Sequence, residues 1–250
     1  MLQTRSRVAQ ITISLRRLIA AGAFAENRLP SEPELAQRLG ASRTTVREAL
    51  AKLELDGILV RKHGVGTFIN ERILNIGTRL EEVSDFAEMI RLSGFAPTVS
   101  HRELSLGRPS KDILEKLALE PGEEVLTTAN VFFADDIPVI YCTDTIPANL
   151  IRSAYRDEEL HGPVYTFLDQ RCKQSVAYNL TEVVPVVADT QLSDLLDCPS
   201  GNPLHRFIEI AFNADDAPIM FSDEYYRPDY FTFNVVRKWT SLRPVGDTHP

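Results

Sequence analysis

The sequence predicts an α+β protein in two parts: a small N-terminal domain of short helices closed by a hairpin, then a larger domain built on an antiparallel sheet. Three observations carry that prediction. A basic head precedes an acidic body, a run of short capped helices ends in a glycine-tipped hairpin, and the second half repeats a unit of helix, strand, hairpin and strand. The chain has 250 residues and a formal net charge of −8, with 27 Lys and Arg against 35 Asp and Glu. Residues 1 to 72 hold 12 of those cations against 7 of the anions, so the rest of the chain is strongly acidic. Only the head has the charge balance to meet a polyanion.

The head divides into three helices and a hairpin. Val8, Ile11, Leu15, Leu18 and Ile19 recur at helical spacing and predict a first helix ending near Gly22. In "LPSEPELAQRLG", Ser31 and Glu34 have the spacing of a capping box, Leu35, Ala36 and Leu39 form an inward face, and Gly40 ends a short second helix. "GASRTTVREAL" predicts a third helix capped by Ser42. Val46, Ala49, Leu50 and Leu53 share one face, Arg43, Thr44 and Arg47 the other, and Thr45 lies near the N-terminal end. Two short helices joined by a glycine turn match a helix-turn-helix, whose second helix presents its first residues to the major groove. Arginine can hold guanine O6 and N7 in a bidentate fork, and threonine offers a hydroxyl to phosphate or a methyl to thymine. After Gly57, "ILVRKHGVGTFI" predicts two short strands around a tip that carries Arg61, Lys62, His63, Gly64 and Gly66, a wing whose glycines let the backbone approach phosphates.

Residues 29 to 69 closely resemble the winged helix-turn-helix of GntR-type bacterial transcription regulators. The resemblance implies that Ser31, Arg43, Thr44, Thr45, Arg47, Gly64 and Gly66 lie at double-stranded operator DNA. The cap residue Ser42 and the wing residues Lys62 and His63 complete the expected DNA-binding set. One position departs from the family: where members commonly carry an arginine after "LPSE", this chain has Pro33, which fits a first helical turn but donates no hydrogen bond.

Residues 70–80 read as a linker, which sets the expected domains at 1–69 and 81–250. Leu80, Val83, Phe86, Ala87 and Ile90 predict a helix ended by Gly94. Further on, "KDILEKLALEPGEEVL" at 111–126 aligns without gaps on "DTQLSDLLDCPSGNPL" at 189–204, and "FFADDIPVIY" parallels "FNADDAPIMF". Two such units most simply pair their hairpins into one antiparallel sheet, and the β-branched run "EVVPVV" supplies another strand. A cavity between the halves is the natural ligand site. Asp135, Asp136, Asp215 and Asp216 read as exposed turn residues.

Residues 75 to 240 resemble the effector-binding (UTRA) domain of the HutC branch of these regulators, related in fold to chorismate lyase; the tail "PIMFSDEYYRPDYFTF" carries the likeness. By that resemblance, sugar-phosphate-sensing members place two arginines where this chain has Asn130 and Phe132, and a glutamate where it has Met220; a tyrosine is retained as Tyr226. Losing both arginines removes a bidentate anion clamp. The expected effector is therefore less anionic and more apolar than a sugar phosphate, bound by Asn130, Phe132, Met220 and Tyr226.

Cys142, Cys172 and Cys198 are odd in number and widely spaced, which excludes a disulfide framework and a zinc-ligand pattern. No nucleophile, base or cofactor motif is present in the sequence, so no catalytic residue, metal or cofactor is expected. No apolar run is long enough to span a bilayer, and the first residues lack the apolar segment of a secretory signal, which places the protein in the cytoplasm away from membranes. The expected function is a ligand-responsive repressor that binds a palindromic operator as a homodimer. Two competing readings are a lyase-like enzyme with a DNA-tethering head and a DNA-binding protein whose second domain only recruits other proteins.

Overall fold

Ile11, Leu15 and Ile19 fall one turn apart on α1 (Arg7–Ala20), and all three are buried. The Ser6 hydroxyl accepts from the Ala9 N–H at 3.2 Å and starts the helix. α2 (Glu32–Leu39) and α3 (Arg43–Leu55) turn Leu35, Val46, Ala49, Leu50 and Leu53 toward α1, making one apolar cluster with Phe24, Ile58, Leu59 and Ile69. Gly40, left-handed at φ 57°, ends α2 and opens the turn into α3. Arg16 donates to Asp56 at 2.6 Å and ties α1 to the end of α3. β1 (Leu59–Lys62) and β2 (Gly66–Ile69) pair antiparallel, with Lys62 opposite Gly66 and His63, Gly64 and Val65 at the tip. The expected helices and wing are all present.

This computed structural model describes residues 6–74, 76, 78–81 and 85–237, and the chain divides into two units. One comprises residues up to 76 with the segment from 234; the other comprises residues 77–233. The division falls inside the expected 70–80 linker, part of which is the short helix α4 (Glu71–Leu74). The helix expected from Leu80 starts later, as α5 (Phe86–Leu92). Asp85 caps it, accepting from the Glu88 N–H at 3.2 Å, and Leu80 lies in a turn before it. Val83 is outside the described residues.

The second unit is a six-stranded antiparallel sheet in the order β3-β4-β5-β8-β7-β6. Its first half runs β3 (Pro97–Gly107), α6 (Lys111–Lys116), β4 (Val125–Ala134) and β5 (Ile137–Pro147). A covering segment containing α7 (Val164–Phe167) follows. The second half runs β6 (Tyr178–Val187), α8 (Thr190–Leu196), β7 (Pro203–Phe212) and β8 (Pro218–Tyr226). The repeat read from sequence is thus real and extends one strand further toward the N-terminus in each half. β5 and β8 join the halves, with Asp144 opposite Ser222 and Cys142 opposite Glu224.

Side chains two apart share a sheet face. On the outer face α6 covers Val125 and Phe221, while α8 packs Leu196 against Tyr141, Leu204 and Tyr225. Two apolar clusters stand on the inner face. One joins Leu126, Ile146, Ala211 and Met220 to Leu160, Phe167 and Leu168 of the covering segment. The other joins Ile140, Phe207 and Tyr226 to Met89 and Ile90 of α5 and to Phe231. A cavity opens on the same face between the elements that form them. Asp135 and Asp136, both at positive φ, form the tight turn between β4 and β5; Asp215 and Asp216 occupy the turn between β7 and β8, as expected of turn residues.

Candidate DNA interface and effector cavity

At the start of α3 the Ser42 hydroxyl accepts from the Thr45 N–H at 3.1 Å and lies 2.8 Å from the Thr45 hydroxyl. Ser42 and Thr45 are therefore committed to the cap. Arg43, Thr44 and Arg47 remain exposed beside it, and neither arginine forms an ion pair among the described residues. Free cationic forks next to a helix N-terminus, itself partly positive, make a surface suited to an anionic backbone and to base edges. Ser31 is less available. Its N–H and hydroxyl both donate to the Glu34 carboxylate, at 2.8 and 2.6 Å, and these bonds hold that carboxyl below its usual range. Pro33 sits in the first turn of α2 without strain.

The wing is braced from behind. Arg28 donates to the Val65 carbonyl at 2.8 Å, and Lys62 places its ammonium 4.8 Å from the Phe68 ring centre. Gly66 has φ 141°, and a Cβ there would lie 3.2 Å from Arg28 Nε, so both conformation and close approach require glycine. Gly64 at φ 72° makes the tip, and His63 beside it is exposed. Arg61 faces back toward Glu32 at 3.6 Å and Glu54 at 3.9 Å, linking the wing to α2 and α3. Arg28, just ahead of the "LPSE" segment, is thus engaged in bracing the wing.

The inner-face cavity has a volume of about 640 Å³. Asn130, Phe132 and Tyr226 line it. Met220 does not. It shares a face with Glu224 and Tyr226 but lies farther along β8, where Phe167 and Leu168 cover the sheet, so it is core. Asn130 is 3.0 Å from His101 Nδ1 through Oδ1. Tyr226 stands among rings, 4.9 Å from Phe207 and 5.0 Å from Phe233 between centroids.

The cavity floor also carries three carboxylates that the sequence reading missed: Asp144 on β5, Glu209 on β7 and Glu224 on β8. Ser222 donates to Asp144 Oδ1 at 2.6 Å. Asn179 and Thr181 donate to the two oxygens of Glu209 at 2.6 and 2.7 Å, and the Tyr226 hydroxyl donates to Glu224 Oε2. Asp144 and Glu224 are each only 4% exposed. Burial, reinforced by the Glu209 charge and opposed by the Ser222 and Cys142 hydrogen bonds, pushes the Asp144 carboxyl up to about 6. Burial and then Glu209 push Glu224 well above its ordinary value. No cation pairs with any of the three among the described residues. No group of His, Cys, Asp and Glu in a metal-holding arrangement occurs among the described residues.

A winged helix-turn-helix joined in one chain to an α+β unit with an internal cavity defines a class: DNA-binding regulators with an effector domain. A family model described as "UTRA domain" matches residues 92–232, and one described as "Bacterial regulatory proteins, gntR family" matches residues 7–69. The chain belongs to the GntR family of bacterial regulators and carries a UTRA effector-binding domain; it is a transcription regulator and not an enzyme. It is 29% identical over 215 residues to the uncharacterized HTH-type transcriptional regulator YurK of Bacillus subtilis, covering 85% of this chain and 87% of that protein. It is 28% identical over 227 residues to a probable fructoselysine utilization operon transcriptional repressor of Escherichia coli, covering 88% and 90%. Among solved structures, the possible transcriptional regulator YydK of Bacillus subtilis shares the fold at a TM-score of 0.74 and 16% identity, covering 93% of this chain and 99% of that one. PhnF of Mycobacterium smegmatis shares it at 0.57 and 21%, covering 92% and 100%. Among the described residues no helix is long and apolar enough to cross a membrane.

Two outcomes are expected. Arg43→Ala and Arg47→Ala should each weaken operator binding by about 1–3 kcal/mol and flatten its salt dependence; unchanged affinity in both, measured by fluorescence anisotropy, contradicts the exposed-fork geometry. Asp144 has a carboxyl pKa raised on folding, so its ionisation destabilises the fold as pH rises through about 6. Asp144→Asn removes that cost. It should stabilise the ligand-free protein at neutral pH by up to about 3 kcal/mol in urea unfolding, with the gain vanishing near pH 4; no gain at neutral pH contradicts the assignment.

Proposed function

We propose that the chain is a repressor of the HutC branch, acting in the cytoplasm as a homodimer on a palindromic operator and released when a small metabolite enters the inner-face cavity. The observation that carries this reading is the cavity itself, about 640 Å³ in the UTRA unit, a size typical of small-molecule sites. The Escherichia coli relative named as a probable transcriptional repressor supports the sign of regulation. Arg43, Thr44 and Arg47 read base edges or phosphates, Lys62, His63 and the wing backbone at Gly64 and Gly66 meet the flanking phosphates, and Ser31, Ser42 and Thr45 hold the helix starts at the DNA surface. A two-fold dimer sets its recognition helices about one DNA turn apart, which demands a symmetric operator.

The effector is less anionic than a sugar phosphate. Asn130 and Phe132 stand where an arginine clamp is otherwise expected, and the cavity lining holds Arg79 against Glu81, Asp85, Asp144, Glu209 and Glu224. A phosphate would meet that lining with repulsion from most of its charges. Effector and DNA are coupled reciprocally: if the metabolite weakens DNA binding, DNA weakens metabolite binding by the same factor.

The test is a thermal-shift screen of the full chain against small metabolites, each stabilising compound then assayed for release of DNA from the region upstream of the chain's own gene. The expected result is at least one compound that both stabilises the protein and frees the DNA, from a complex of two chains per operator by light scattering. Binding of one chain per operator contradicts the dimer, and stabilising compounds that leave DNA bound contradict the sensor.

A further inference from the structure

Three carboxylates on adjacent strands face one cavity, and their pairing geometry is dictated by the sheet. Asp144 and Glu209 flank Ser222 in one row across β5, β8 and β7, while Glu224 lies in the next row between Cys142 and Phe207. Like charges this close in a water-poor site repel strongly, and a buried charge without a counter-ion is costly. The hydrogen-bond inventory shows the same deficit. Both donors to Asp144, Ser222 and Cys142, use Oδ1, and the donor to Glu224, Tyr226, uses Oε2. Asp144 Oδ2 and Glu224 Oε1 therefore have no donor among the described residues, and both side chains line the cavity. Asn179 also lines the cavity, and its Oδ1 is buried without a partner. Around Asp144, Glu209 and Glu224 the site has acceptors to spare, and the one cation lining the cavity among the described residues, Arg79, is 3.6 Å from Glu81.

We infer that the cavity holds a small organic cation, an ammonium or guanidinium group seated among Asp144, Glu209 and Glu224 with its apolar remainder against Phe86, Phe132 and Phe207. This rests on the reading of the cavity as the effector site and names the chemical class of the effector. A neutral polyol would donate hydrogen bonds but leave the acidic cluster without a counter-ion. A cation supplies both, and the rings beside the carboxylates present negative faces to it. Among the described residues no group of three or more His, Cys, Asp or Glu side chains converges as metal ligands, so the reading favours an organic cation over a metal ion.

Binding is linked to protonation. Asp144 is faced by Cys142 on its own strand and by Glu209 and Glu224 across the sheet. Tyr165 lines the cavity from α7, and Arg79, Glu81 and Asp85 line it from the segment leading into α5, with Arg79 3.6 Å from Glu81. A cation favours ionised carboxylates, so its affinity rises as pH climbs through the Asp144 value of about 6 and falls below it.

The experiment uses matched probes on the full chain: phenethylamine and agmatine, against neutral 2-phenylethanol and anionic phenylacetate. Thermal shift and calorimetry are run at neutral and mildly acidic pH on the natural protein and on the isosteric variants Glu209→Gln and Asp144→Asn. The expected result is binding of an amine or guanidine at least about tenfold tighter than its neutral and anionic counterparts. That preference should shrink at acidic pH and in both variants, whose folding is checked by circular dichroism and a cooperative melting transition. Equal or better binding of the alcohol or the carboxylate overturns the inference. So does failure of both cations to bind, an unchanged preference in both variants, or stabilisation by calcium alone that Glu209→Gln abolishes. DNA release is scored on the same samples. A cation that binds without freeing DNA defeats the effector reading and leaves the cation site standing, whereas release by a neutral or anionic compound does the reverse.

Discussion

The pairing of β5 with β8 joins the two repeats, and its register decides what the cavity contains. With Asp144 opposite Ser222 and Cys142 opposite Glu224, the inner face gathers Asp144, Glu224 and, one strand on, Glu209. A slip of one residue would turn these carboxylates outward and bring their apolar neighbours in. The apolar clusters at either end of the inner face fix that register from both sides: Met220 and Ile146 beneath the covering segment, Tyr226 and Ile140 beneath α5. Packing at the ends thus holds an electrostatically unfavourable middle, which the fold retains at a cost in stability. Strain of this kind concentrates where function resides.

Almost all of the head was legible because its signals are local. Caps at Ser42 and Gly40, the spacing of Leu15 and Ile19, and the glycines of the wing each act within a few residues, and each element appeared where those residues placed it. What local patterns leave open is what the polar side chains do once the head has folded. Arg28 and Arg61 look equivalent to any other basic residue in sequence, yet one clamps the Val65 carbonyl and the other faces Glu32 and Glu54. Such partners are brought together by tertiary packing, which local patterns do not report.

The effector unit was legible in architecture and only partly in chemistry. The repeat gave the hairpins, and the family resemblance pointed to Asn130, Phe132 and Tyr226, which line the cavity. Met220 has the correct parity, but its distance along the strand puts it under Phe167, a non-local fact. The carboxylates left a weaker trace. Glu209 in "RFIEIAF" and Asp144 in "YCTDTIP" each put an acid at an inward position of an otherwise apolar strand, a pattern that marks a buried charge. That the two belong to one site depends on the β5, β8, β7 order, which joins residues far apart in the chain.

The central claim is that the inner face buries carboxylates lacking a counter-cation until a ligand arrives. Side-chain carboxyl NMR of the ligand-free protein, titrated across the acidic range with Asp144→Asn to assign the signal, tests it most directly. The account predicts that Asp144 titrates at about 6, above the ordinary carboxylate range. A midpoint at or below the ordinary value, near 4, would mean that a cation of the protein already neutralises the site, and would contradict the account.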